Sequence, residues 1–196
     1  MKKNAVVTLS GVAAALLTSP ASAHVSADHA ISLAEGIAHP FSGLDHVAVM
    51  VAVGLWAALK GGRAMWLWPA SFVALMVVGG MLGMAHAPLL YVEPAILASV
   101  VAIGLLVALA IDLPLWIGAM VVGAFAVFHG YAHGSEVAGN INSVSYLAGF
   151  VLATATLHAV GLFAGFTLAH SQGRVLVRAA GAACAVLGVA LASGLV

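Results

Sequence analysis

The chain has 196 residues, of which 64% are hydrophobic and only 6% are charged. Soluble domains carry about a quarter charged residues, so this composition argues against a soluble protein and predicts a membrane protein. The formal net charge is zero and there is no run of basic residues. We therefore expect no nucleic-acid partner.

The first 23 residues have the three parts of a secretory signal peptide. Lys2 and Lys3 form a basic start, an apolar stretch follows, and residues 21–23 read A-S-A, the small-residue pattern of a cleavage site. The alternative is an uncleaved signal anchor, but the apolar stretch is shorter than the ~20 residues that a span needs. We expect residues 1–23 to be removed and residues 24–196 to form one transmembrane domain.

The mature chain would then begin with HVSADHAISLAEG outside the cytoplasm. Its first residue, His24, carries a free amine beside an imidazole, and the two can chelate a metal when both are deprotonated. His29 follows in the same segment. The alternative is that this segment is a disordered leader.

Six apolar runs follow, separated by charged residues, glycines and prolines. Backbone groups in lipid must be satisfied within the segment, and these runs lack the alternation of barrel strands, so the pattern predicts helices. The predicted spans are residues 39–59, 64–85, 94–111, 114–133, 144–169 and 175–195. The predicted fold class is therefore all-α, a polytopic membrane protein with six transmembrane helices.

The basic residues orient these spans. A cleaved signal leaves residue 24 outside, so the first span runs inward, and Lys60 and Arg63 face the cytoplasm. By the same count Arg174 and Arg178 face the cytoplasm, so all four basic residues of the mature chain obey the positive-inside rule. We expect both termini to lie outside.

The first polar cluster, HPFSGLDH, stands at the start of the first predicted span. His39 and His46 are seven positions apart, so on one helix they would share a face, about 10 Å apart along the axis. Asp45 is offset by one position and would point about a quarter turn away. Met50 lies one turn below His46 on the same face, and Gly43 allows close packing or a local distortion.

The second polar cluster, FHGYAHGSE, ends the fourth predicted span. His129, His133 and Glu136 are spaced i, i+4 and i+7, so all three project from one helix face. This span runs outward, so both clusters are predicted at the extracytoplasmic side on two different helices. Since the topology was assigned from the signal and the lysines and arginines, without either cluster, this convergence supports it independently.

Ionisable groups in a bilayer cost at least ~2.5–3.5 kcal/mol each on insertion scales, so they normally mark a site or a pathway. Imidazole with carboxylate suits divalent nickel, cobalt or zinc, and the single cysteine argues against a copper(I) or iron–sulfur site. The alternative is a set of histidines that hydrogen-bond across helices. The candidate metal ligands are His39, Asp45, His46, His129, His133 and Glu136.

Other residues are secondary candidates. His158 lies near the middle of the fifth predicted span, deeper than either cluster. It is either the next station on a pathway or the donor of an interhelical hydrogen bond. His86 ends the second span on the outer side and is a candidate rim ligand. The full secondary set is His24, His29, Met50, His86 and His158.

At these residues the sequence resembles the HupE/UreJ family of bacterial nickel/cobalt permeases. That family is marked by H-x(5)-D-H in the first helix and by F-H-G-x-[AV]-H-G-x-E in the fourth, and both motifs match in full at residues 39–46 and 128–136. The resemblance extends to the cleavable signal, the His-initial mature end and the six-helix layout. It implies the bacterial inner membrane as location, nickel or cobalt as substrate, and uptake as the direction.

We therefore expect a permease that imports nickel or cobalt, with no catalytic activity and no resident cofactor. Its partners would be the dication and the lipid bilayer, and whether it forms a homo-oligomer is open. Ligands from the first and fourth spans would strip water from the ion, which would then pass Met50 and His158. The sequence has no Walker A motif, and an inside-negative potential would supply ~4.6 kcal/mol per 100 mV for a dication.

Two other functions stay open. Several histidines and carboxylates could hold a catalytic zinc or di-iron centre. Against this, the chain has no H-E-x-x-H motif and no obvious nucleophile. A metal-responsive sensor or accessory subunit would bind the ion without transporting it, but we expect no cytoplasmic output domain.

Overall fold

The computed structural model describes residues 27–137, 142–168 and 173–195, with side chains from residue 32 onward. This described part consists of helices and turns and contains no strand, which confirms the all-α fold class. The helices are α1 (Ala27–Ala38), α2 (Leu44–Lys60), α3 (Ala64–Met84), α4 (Val92–Ala108), α5 (Leu115–Ser135), α6 (Ser143–Thr167) and α7 (Gly173–Ala192), with a 3₁₀ turn (His39–Phe41) between α1 and α2. The predicted signal peptide and His24 lie outside the described residues.

Four of the six predicted spans correspond to helices that are long and apolar enough to cross a membrane, namely α3, α5, α6 and α7. Large apolar side chains on these helices are exposed, as expected of surfaces that face lipid. Helix α4 has only 17 residues, about 25 Å against a hydrocarbon core of about 30 Å. The protein is therefore a membrane protein in which at least four helices meet the length requirement.

Helix α4 ends at Ala108, three residues before the predicted end at residue 111. Ala110 adopts a left-handed backbone conformation with φ of 51°. The amide of Ile111 then bonds back to the carbonyl of Leu106 at 2.9 Å. This is the hydrogen-bond pattern that closes a helix C-terminus, so the apolar run continues past the point where the helix stops.

The first predicted span is not one continuous helix. The chain bends by 80° between the helical segment that ends at Phe41 and α2. The amide and hydroxyl of Ser42 both donate to the carbonyl of His39, at 3.0 and 2.6 Å, and Gly43 is extended, with φ of −108° and ψ of 123°. The prediction that His39 and His46 share one straight helix is therefore wrong, because His39 lies before the bend and His46 lies after it.

Helix α1 was not expected, because its 12 residues are too few to appear as a span. It packs against α6 so closely that a Cβ atom on Gly36 would collide with the carbonyl of Tyr146. The hydroxyl of Ser32 also accepts a hydrogen bond from the amide of Asn142 at 3.0 Å, just before α6 begins. These contacts hold the 3₁₀ turn that follows α1 beside the start of α6.

Helices α3 and α5 are in backbone contact. A Cβ atom on Gly130 would collide with the carbonyl of Met76, and one on Gly134 would collide with the carbonyl of Gly80. Small residues allow this approach between membrane helices. Because these glycines face α3, the neighbouring His129 turns toward the interior, where it is fully buried.

Basic residues lie together at the end of the helices that is opposite the 3₁₀ turn. Lys60, at the end of α2, makes an ion pair with Asp112, and both line a cleft with Arg174. The guanidinium Nε of Arg178 donates to the carbonyl of Ala108 at 2.7 Å. The sequence analysis predicted these basic residues on one side of the membrane, and their grouping agrees with that. Which side of the membrane they face stays a prediction.

Candidate metal-ion site

Four imidazoles meet where α2 begins and α5 ends. The ring centroids of His46 and His133 are 4.2 Å apart, those of His46 and His129 are 4.8 Å apart, and those of His39 and His133 are 4.6 Å apart. His46, His129 and His133 are buried, with at most 8% of each residue exposed, and His39 lies at the rim. The structure thus brings the histidines of both motifs into one group, which we call the outer cluster.

The two carboxylates each accept a hydrogen bond from an imidazole of this cluster. Glu136, at the end of α5, accepts from Nε2 of His39 at 3.0 Å. Asp45 accepts from Nδ1 of His46 at 2.7 Å and from the backbone amide of His46 at 2.9 Å. The expectation that Asp45 points a quarter turn away is wrong. Amides in the first turn of a helix lack helical acceptors, and the side chain of Asp45 folds back to supply one.

Gly43 leaves the space that this conformation of the Asp45 side chain needs. A Cβ atom at Gly43 would lie 2.6 Å from Oδ1 of Asp45 and 2.8 Å from Nδ1 of His46. Both distances are shorter than van der Waals contact, so only glycine leaves room for the Asp45–His46 pair. The glycine of the first motif therefore helps to position His46.

Three buried imidazoles of the cluster keep ring nitrogens that have no hydrogen-bond partner among the described residues, and we call these bare nitrogens. His46 donates through Nδ1 to Asp45, so its Nε2 is bare. His129 donates through Nε2 to the hydroxyl of Ser99 at 2.8 Å, so its Nδ1 is bare. Both nitrogens of His133 are bare. Burying an unpaired polar atom is costly, whereas the lone pair of a neutral imidazole is a metal ligand.

Ser99 is a residue that the sequence analysis missed. It is fully buried on α4, a helix that carries neither motif, and its hydroxyl donates to the carbonyl of Ile96 at 2.6 Å. The hydroxyl has one proton, so toward His129 it accepts, and this selects the tautomer with the lone pair on Nδ1. Serines in apolar helices commonly bond a carbonyl of their own helix. The position of Ser99 in the sequence therefore gave no sign that it contacts His129.

A close group of three ligand atoms lies at the rim, within the part of the chain that the structure describes. One ligand atom each from His39, His133 and Glu136 lie within 4.8 Å of one another. The side chain of Glu136 is 61% exposed and that of His39 is 30% exposed. His46 and His129 lie below this rim, so the cluster runs from an exposed carboxylate to buried imidazoles.

Three of the secondary candidates, Met50, His86 and His158, can be compared with the outer cluster. His158, on α6, is buried below it, and Met50, on α2, is fully buried. His86 lies on the connection between α3 and α4 with φ of 50°, outside the group of close ligand atoms. His29 falls in α1, but its side chain, like all of His24, lies outside the described residues.

The family model described as HupE / UreJ protein matches residues 12–191 of this chain. The chain belongs to the HupE/UreJ family. A curated relative, Protein HupE of Rhizobium leguminosarum bv. viciae, is 44% identical over 194 residues, which cover 99% of this chain and 100% of the relative. No solved structure matches the chain. The resemblance that the two motifs indicated is therefore confirmed, and in this HupE/UreJ member both motifs contribute to the outer cluster.

Proposed function

We propose that this protein is a permease that imports a divalent transition-metal ion, nickel or cobalt, across a bacterial inner membrane. The HupE/UreJ family is associated with nickel and cobalt transport. The observation that carries the proposal is the packing of three buried rings at one end of the helices. The ring of His46 lies 4.8 Å from that of His129 and 4.2 Å from that of His133, and each of the three rings has at least one bare nitrogen. Imidazole nitrogen is a preferred ligand of both metals.

In the proposed topology residues 1–23 are a cleaved signal, and α2 to α7 each cross the membrane. The basic end faces the cytoplasm, which puts the outer cluster on the extracytoplasmic side. Helices α2 and α4, with 17 residues each, would cross by local thinning of the bilayer and by flanking residues such as Lys60 reaching the interface.

The exposed rim would capture the ion first. The carboxylate of Glu136 attracts a hydrated dication and replaces part of its water shell. The hydrogen bond between His39 and Glu136 opens in this step, which frees both side chains to bind. The ion then reaches His133, whose two nitrogens are bare and whose ring contacts both His39 at the rim and the buried His46.

The buried imidazoles would bind the ion next. Asp45 keeps Nε2 of His46 free for the metal and partly balances the charge of the dication. Ser99 does the same for Nδ1 of His129 without adding charge. An inside-negative potential then favours movement toward the cytoplasm by ~4.6 kcal/mol per 100 mV for a dication.

Accumulation of radioactive nickel and cobalt tests the proposal. Cells that express the wild type should accumulate more metal than empty cells, and His133→Ala should return accumulation to background because it removes both bare nitrogens. The matched control is Ser135→Ala, since Ser135 is on the same helix turn but its hydroxyl bonds only a carbonyl of its own helix among the described residues. Wild-type accumulation equal to that of empty cells, with the protein inserted in the membrane, contradicts the proposal.

A further inference from the structure

His158 lies one aromatic ring below the outer cluster. It is on α6 and is 1% exposed. Its ring centroid is 4.9 Å from that of Phe72, and the ring of Phe72 is in turn 5.7 Å from that of His129. The ring of Phe72 therefore contacts both His158 and His129, the deepest imidazole of the outer cluster.

The hydrogen bonds of His158 do not fit a purely structural role. A buried histidine that holds membrane helices together donates to a neighbouring helix. His158 instead donates through Nδ1 to the carbonyl of Thr154 on its own helix, at 2.7 Å. Its Nε2 is a bare nitrogen. The nearby hydroxyl of Thr154 does not serve Nε2, because it donates to the sulfur of Met76 on α3 at 3.4 Å.

This arrangement repeats that of His46 and His129 in the outer cluster. In each residue one ring nitrogen donates to a fixed acceptor, and the other ring nitrogen is bare. In His158 the carbonyl of Thr154 is the acceptor, so the lone pair stays on Nε2. A bare lone pair in the membrane interior costs free energy, and a passing cation would offset that cost.

We propose that His158 is an inner station for the transported cation. Its Nε2 binds the nickel or cobalt ion after the ion leaves the outer cluster and passes Phe72. The inference rests on the proposed function and assigns a different step to each site. The outer cluster sets the affinity for external metal, and His158 sets the rate at which bound metal moves inward.

Transport into proteoliposomes tests whether the outer cluster sets the affinity and His158 sets the rate. The full chain is reconstituted with a metal-sensitive dye inside and an inside-negative potassium diffusion potential, and initial rates are measured against external nickel and cobalt. His158→Phe keeps an aromatic ring beside Phe72 but has no ligand nitrogen. We expect its maximum rate to fall at least about tenfold, while the half-saturating metal concentration stays within about twofold of the wild type.

Two further variants separate ligand loss from disturbed packing. His158→Asn supplies an amide oxygen as a weaker ligand and should transport at an intermediate rate. Thr156→Val is the matched control, because Thr156 is exposed on the same helix and its hydroxyl bonds the carbonyl of Leu152. It should leave both parameters unchanged. The cobalt affinity of purified His158→Phe, measured by calorimetry, should match that of the wild type. Such a match would show that the outer cluster is still folded.

A maximum rate for His158→Phe within about twofold of the wild type overturns the inference. So does a loss that appears entirely in the half-saturating concentration, because that would assign His158 to metal capture. If the wild type carries no metal, the proposed function fails and the inference fails with it. If the wild type transports and His158→Phe transports equally well, only the inference fails.

Discussion

Polar side chains at the two ends of the helices differ in their burial and in whether they have partners. At the end with the 3₁₀ turn, His46, His129 and His133 are buried and keep bare nitrogens. At the opposite end, Lys60 is paired with Asp112, and both are at least partly exposed. The first end therefore retains unused ligand atoms in a buried setting, while the second end uses its charges for pairing near water.

The indoles at the opposite end extend this contrast. Trp56 and Trp68 are fully buried, and their N–H groups donate to the carbonyls of Ile111 and Leu115, each at 2.9 Å. Their hydrogen bonds join α2 to the α4–α5 connection and α3 to the first residue of α5, and they leave no unused donor on either indole. Burial of a polar group is thus common to both ends, and what distinguishes the candidate site is burial without a partner.

The largest effect in this comparison is expected from Asp45→Asn. The substitution keeps the shape of the side chain but removes the charge that fixes the tautomer of His46. Loss of such a partner typically lowers the affinity or activity of a metal site ~10–100-fold, and we expect nickel uptake to fall about 100-fold because the charge is lost as well. Initial uptake rates in cells measure it.

Asp112→Asn is the matched control for Asp45→Asn, since Asp112 is a carboxylate at the opposite end. Its uptake should stay within about twofold of the wild type, because the Lys60–Asp112 pair is a surface pair. Equal losses in the two variants would remove the distinction between the two ends.

A smaller effect is expected from Ser99→Ala. The substitution removes the acceptor for Nε2 of His129, so the imidazole loses its fixed tautomer and orientation. We expect metal affinity to weaken about tenfold, measured by cobalt titration of the purified protein. Ser99→Thr keeps the hydroxyl and should retain most of the affinity. If Ser99→Ala binds cobalt as tightly as the wild type, the hydrogen bond to Ser99 does not position a ligand.

The smallest effect is expected from Lys60→Gln at the basic end. The pair with Asp112 is exposed, with 27% and 74% of the two side chains accessible. Such pairs contribute about 0–1 kcal/mol, so the free energy of unfolding should change by no more than that. Thermal unfolding in detergent measures it. A loss of uptake as large as that of Asp45→Asn would assign the basic end a direct part in transport.

The membership of the outer cluster could be predicted because its signals are local. The spacing of His129, His133 and Glu136 on one helix face depends only on helix geometry. The topology that brings the first motif to the same end depends only on the predicted signal peptide, the count of spans and the positions of Lys60 and the other basic residues. Neither inference needs to know how the helices pack.

The internal geometry of the cluster could not be predicted, because it arises from contacts between distant residues. The bend before α2 depends on the bonds of Ser42 to His39 and on the extended Gly43. The contact between His39 and Glu136 joins residues 97 positions apart. The role of Ser99 exists only because α4 packs beside α5, and no pattern in the α4 sequence indicates it.

The central claim is that the bare nitrogens of His46, His129 and His133 bind the transported ion. X-ray absorption at the nickel edge, on purified protein loaded with one equivalent of nickel, tests this most directly. We expect the multiple-scattering signature of several imidazole ligands in the wild type, and a smaller imidazole contribution in His133→Ala. A spectrum with oxygen ligands alone, or one that His133→Ala leaves unchanged, would contradict the claim.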